Sequence, residues 1–121
     1  MLRFTATGSP DSTFANPTFR FTGNGGTGVE DVPNGIALQA NGDIVVVGAH
    51  STPSSALNGL ARLTASGNFD SAFGTGGLVT NAVPAGTEGL EGVVIQADSK
   101  IIVVGLANNL TELTLSRYLG N

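Results

Sequence analysis

Two stretches of this chain are apolar without interruption. Ile44 to Val47 and Ile101 to Val104 are runs of β-branched side chains, and a strand with no polar alternation must be covered on both of its faces. The first run closes a hairpin pattern: IALQ (Ile36 to Gln39), the turn Ala40-Asn41-Gly42, then DIVVV (Asp43 to Val47). Asn-Gly between apolar segments predicts a type I′ turn, because both residues tolerate the positive φ that such a turn requires. The second run carries Asp98-Ser99 at the same place, a less favourable pair in the same pattern. A further strand is expected around Leu60 to Thr64, a turn over Ala65 to Asn68, and a short strand around Gly77 to Asn81. Glycines and prolines punctuate the junctions, and no segment keeps an apolar stripe at helical spacing, so no helix is expected.

These elements recur. Gly35 to Gly48 (GIALQANGDIVVVG) and Gly92 to Gly105 (GVVIQADSKIIVVG) are identical at 7 of 14 positions, at an offset of 57. Arg3 to Phe14 (RFTATGSPDSTF) and Arg62 to Phe73 (RLTASGNFDSAF) share 7 of 12 at an offset of 59. A third copy begins at Leu115 to Tyr118 (LSRY), which echoes Leu60 to Leu63 (LARL). Two interleaved matches at nearly one period establish an internal repeat.

A unit of this length with four short strands and an inner strand apolar on both faces reads as a propeller blade. One four-stranded sheet alone cannot bury two faces, whereas radial stacking buries both. A two-layer sandwich would require alternating strands. The expected fold is therefore all-β, with two four-stranded antiparallel blades per chain in one repeat domain spanning 1–121. The blades run approximately over 24–80 and 81–121, and 1–23 contributes terminal strands of a further or shared blade. Two blades do not close a ring, since propellers have about four to eight, so completion by oligomerisation is expected, a trimer giving six blades being favoured over a tetramer giving eight. In that scheme Phe19 to Thr22 of one copy lies beside Leu113 to Leu119 of the next, and Leu2 to Thr5 duplicates the Leu115 strand.

Composition narrows the chemistry. Of 121 residues only 12% are charged, 18 are glycine, and 5 Lys plus Arg against 9 Asp plus Glu give a net charge of −4. Five cations do not build a basic nucleic-acid face. No apolar run has the length of a membrane span or a secretory core. With no cysteine and one histidine, thiolate metal sites are excluded, and an imidazole metal site or a Ser–His triad is disfavoured.

The combination ALQANGDIVVVG followed by LARLTASGNFDSAFGTGGLVT resembles the delta-60 repeat, a bacterial β-propeller repeat of about this length, over nearly the whole chain from Arg3 to Tyr118. Departures from the family pattern are Ala40 and Ala97 in place of the turn proline, Asp43 in place of lysine, and an irregular loop over Asn81 to Leu90. The resemblance implies a propeller, no established general activity, and a secreted or surface-attached bacterial setting.

The repeated Asp11/Asp70, Ser12/Ser71 and Phe14/Phe73 read as turn-capping and packing groups, because a repeat-locked residue solves the same folding problem in each unit. Arg3, Arg62 and Arg117 are expected along strand surfaces or paired with these carboxylates. The cluster Gly23 to Gly28 lacks the Lys-Ser/Thr of a phosphate loop and reads as a turn. Asn109-Leu110-Thr111 fits a glycosylation sequon, and His50 is expected in an exposed loop after a strand. The segments before each hairpin are acidic, and Asp31 falls on Glu88 at the repeat offset. These two are the candidates for a carboxylate ring at the propeller mouth that takes a cation or a glycan; no catalytic residue and no cofactor is assigned. The expected function is a non-enzymatic binding, interaction or structural module whose partners are further copies of itself and a glycan or protein ligand. The alternatives are a carboxylate-based glycan hydrolase or lyase, and a fragment of a larger repeat protein.

Overall fold

The structure, a computed structural model, describes residues 1–15, 18–21, 30–52, 55–82, 89–107 and 111–120. These hold seven strands: β1 (Glu30–Leu38), β2 (Ile44–Thr52), β3 (Ser55–Leu63), β4 (Leu78–Ala82), β5 (Gly89–Ile95), β6 (Ile101–Ala107) and β7 (Glu112–Tyr118). They form two antiparallel meanders, a four-stranded sheet in the order β1-β2-β3-β4 and a three-stranded sheet in the order β5-β6-β7. No helix occurs among the described residues. The expected fourth strand of the second sheet is not formed there either. At the N-terminus, Phe4 makes an isolated bridge to Pro10 in place of a strand, and 18–21 lies against the first sheet without pairing as a strand.

Each β-branched run sits on an inner strand of its sheet, and the two faces of the first run enter different cores. Val45, Val47, Leu60 and Phe73 of the first sheet pack against Leu90, Ile101 and Val103 of the second. On the opposite face, Ile44, Val46, Ala61 and Leu63 are covered by Phe14 and Phe21 from the N-terminal segment. Alternation along one strand therefore sends successive residues to two different neighbours, which is why the run tolerates no polar position.

The hairpin turns differ from the expected type I′ form. Gln39 N–H donates to the Asp43 carbonyl at 2.8 Å, and Gly42 N–H donates to the Gln39 carbonyl at 2.9 Å. Gly42 takes a φ of 90°, whereas Asn41 keeps an ordinary φ and uses its side-chain oxygen to accept from Asp43 N–H at 3.0 Å. The loop is thus a three-residue turn closed by a left-handed residue, the alternative hairpin solution. The second hairpin repeats it, with Gln96 N–H bonded to Lys100 O and Ser99 N–H to Gln96 O, and Ser99 held at φ 66°.

A bulge also recurs. Register shifts between Pro33 and Gly35 against β2, and between Leu90 and Gly92 against β6. Opposite each bulge the backbones approach so closely that a Cβ on Gly48 would stand 2.0 Å from Val32 O, and one on Gly105 would stand 2.3 Å from Gly89 O. That explains the identity of Gly48 and Gly105 in the two repeats.

Two measurements check these assignments. Replacing Ser99 by Gly relieves a left-handed β-carbon and is expected to stabilise the fold by about 0.5–1 kcal/mol in chemical denaturation. Replacing Gly48 by Ala drives a methyl group into backbone and is expected to lower stability by at least about 2 kcal/mol in the same assay.

Candidate functional site

The loop that follows β3 is built around one arginine. Arg62 is buried, and its Nε and Nη2 donate to Asp70 Oδ2 at 2.7 and 2.6 Å. Its guanidinium carbon lies 4.6 Å from the centre of the Phe73 ring, a cation–π stack. Asp70 Oδ1 in turn accepts from Ala72 N–H at 3.0 Å, and Phe73 N–H bonds to Asp70 O. The N-terminal loop reproduces every part. Arg3 Nε reaches Asp11 Oδ2 at 2.7 Å, Thr13 N–H reaches Asp11 Oδ1 at 2.9 Å, and Arg3 stacks 4.7 Å over Phe14. The Arg–Asp–Phe set therefore forms a fold-holding loop, as its repetition implied. The Ala72 N–H first, and the Arg62 guanidinium after it, hold the Asp70 carboxyl below its ordinary value of 3.8. The Thr13 hydroxyl does the same for Asp11, with help from Thr13 N–H and Arg3.

Asp31, one of the two mouth candidates, has a specific environment. It lies on β1 opposite His50 on β2, and its Oδ1 is 2.8 Å from His50 Nδ1 and 3.3 Å from Phe21 N–H. His50 is 2% exposed. The expectation of an exposed loop histidine is thus corrected: the strand continues through it, and Asp31 supplies the polar partner that its burial requires. Asp31 Oδ2 is buried without a hydrogen-bond partner. The carboxylate lies at an open, mainly apolar groove of about 500 Å³ lined by Met1, Phe19, Phe21, Pro33, Ile36 and Val46, among others. Glu88, Gly23 to Gly28 and Asn109 lie outside the described residues. Among those described, no three His, Cys, Asp or Glu come together as a metal group, and no helix is long and apolar enough to cross a membrane.

One contact between the sheets escaped sequence reasoning although the repeat carried its signal. Gln39, identical to Gln96 in the repeat, is buried and donates from Nε2 to Ser99 O at 3.2 Å and to Gly120 O at 3.0 Å. Arg62 Nη1 donates to that same Gly120 carbonyl at 2.5 Å. Two side chains of the first sheet thereby grip main-chain oxygens of the second. Gly120 has no room for a side chain, since a Cβ there would meet Ser99 O at 1.5 Å.

Residues 39–73 match a family described as Domain of unknown function (DUF5122) beta-propeller. The matched stretch runs from the buried glutamine through the hairpin turn, β2, β3 and the arginine loop to Phe73, so it contains the parts that hold one blade to the next. It supports a propeller-repeat family, and with the two stacked meanders it defines the fold as β-propeller blades. No curated protein and no solved structure matches the chain.

The depressed carboxyls set a pH dependence. A carboxyl whose pKa is lower in the folded state contributes stability that is complete above its unfolded value. That stability is lost as pH falls through the folded one. Asp70 and Asp11 therefore make the melting temperature fall below pH 3.8. Asp70→Asn is expected to melt lower at pH 7 and to show a shallower acid decline than the parent protein in thermal scans between pH 7 and pH 2.5, a range about the ordinary carboxyl value.

Proposed function

We propose that this chain is a non-enzymatic propeller module of the delta-60 type, carrying two repeats, which acts as an interaction or structural scaffold and completes its ring with further copies of itself. The observation that carries this reading is the use made of the repeated polar groups. Arg3, Asp11, Gln39, Arg62 and Asp70 all bind backbone or one another in blade-forming contacts. The residues that recur with the repeat therefore serve assembly, and a ligand would be taken by loops that differ between units.

Exposure of apolar side chains supports self-completion. Val32, Ile36 and Leu38 on β1, and Val94, Val104, Leu113 and Leu115 on the second sheet, stand open although most of their equivalents inside the chain are covered. Fully burying one such side chain stabilises by about 1.5–3 kcal/mol, and soluble monomers rarely leave patches of this kind uncovered. Three copies of the 12.1 kDa chain give a closed ring of six blades. Light scattering coupled to size exclusion is expected to return about 36 kDa for that trimer; a folded 12.1 kDa species at all concentrations would remove the self-completing ring.

A further inference from the structure

The contact between the two sheets has three polar parts whose positions repeat through the chain. In the complete contact, Gln39 donates to the carbonyls of Ser99 and Gly120, and Arg62 donates to Gly120 O while holding Asp70 and stacking on Phe73. The acceptors have fixed places: Ser99 is the left-handed turn residue, equivalent to Gly42, and Gly120 lies three residues after Arg117 as Ala65 lies three after Arg62. One step earlier in the chain, the rule holds again. Arg3 donates to Ala65 O at 2.7 Å while holding Asp11 and stacking on Phe14. In both contacts an arginine thus reaches the loop carbonyl of the following unit.

The third set is incomplete. Arg117 occupies the position of Arg62, yet it is exposed and makes no hydrogen bond or ion pair among the described residues. Gln96 occupies the position of Gln39, and its Nε2 donates to no carbonyl among the described residues, whereas Gln39 Nε2 donates to two. The apolar positions around them are uncovered in the same register. Val104 is 37% exposed where its equivalent Val47 is fully buried, and Leu115 is 75% exposed where Leu60 is 1%. The complementary open surface lies at the other end of the chain. Ile36 and Pro33 on β1, beside the groove, are exposed, whereas their equivalents Val93 and Leu90 pack against the first sheet.

We infer that the outer face of the second sheet docks on the β1 face of a second copy, with Gln96 and Arg117 of one copy donating to the Gly42 and Ala65 carbonyls of the other. This rests on the reading of the chain as a self-completing ring and assigns the surfaces that meet in it. The occupant is a second copy because the contact continues one already present between the two sheets, residue for residue. A consequence separates this interface from any other. Ala65 O and Asp11 are held by Arg3 of their own chain, so Arg117 of the incoming copy must displace Arg3, the residue it duplicates. Arg3 is then a competitor of assembly, and Arg117 its agent.

Sedimentation equilibrium on the full chain and on Arg117→Ala, Gln96→Ala and Arg3→Ala tests this, with thermal melts run beside it to report folding. Arg117→Ala should weaken self-association roughly tenfold or more, the scale of a lost charged hydrogen bond. Gln96→Ala should weaken it less, and neither should lower the melting temperature of the dissociated chain, because neither side chain makes a hydrogen bond among the described residues. Arg3→Ala should associate at least as tightly as the parent, although its N-terminal loop melts earlier. The inference is overturned if Arg117→Ala assembles like the parent, or if Arg3→Ala is weakened as much as Arg117→Ala; in both cases the ring survives with a different interface. A parent chain that stays monomeric at every concentration removes the ring and the interface together.

Discussion

Everything in this fold follows from a middle strand that is apolar on both sides. Val45 and Val47 are fully buried in one core, while Ile44 and Val46 are buried in another. Neither sheet can provide both cores by itself, so each must be clamped between neighbours. The N-terminal segment meets that need on one side of the first sheet, with Phe14 and Phe21 laid on the backbone at Gly67 and Gly59. The second sheet meets it on the other. Stability is consequently a property of the stack and not of a blade, as in other repeat architectures where neighbour contacts dominate.

Apolar stacking alone would allow sheets to slide, because dispersion contacts are not directional. The polar grip of Gln39 and Arg62 on the Gly120 carbonyl gives the stack its register. A buried arginine is tolerable because its charge is matched by Asp70 and its plane by Phe73, so the desolvation cost is met by good geometry on every side. The bulges at Pro33–Gly35 and Leu90–Gly92 bend the two outer strands alike. Their recurrence gives both sheets one shape, which lets the same contact be made again.

Much of this was legible in the residues. The repeat, the strands, the paired glycines and the arginine loop follow from patterns that local chemistry enforces: β-branched runs, turn residues, and an Asp two positions from a backbone donor. The hairpin turn departs from the type I′ expectation, because Asn-Gly serves two loop lengths and only the pairing of Gln39 with Asp43 distinguishes them. His50 was misplaced for a related reason. Periodicity marks where an apolar run stops, and β2 continues past that point through Ala49, His50 and Ser51 because β1 and β3 pair with it there. Its partner Asp31 lies 19 residues away, and no local pattern connects the two. Gln39 differs again: its identity with Gln96 was visible, but a glutamine next to a turn reads as solvent-facing until the neighbouring blade is in place.

The acceptors in the blade contact are carbonyl groups, one belonging to glycine in one unit and to alanine in the other. A lock that reads main chain carries almost no information about the side chains of the loop it closes on. Loop sequences are therefore free to drift while the grip persists, provided the backbone keeps its path and the acceptor position stays as small as Gly120 requires. The same indifference removes selectivity. A unit of this type has no means of telling its own neighbour from any other loop with the same backbone course, so units of different origin that share that course are interchangeable parts.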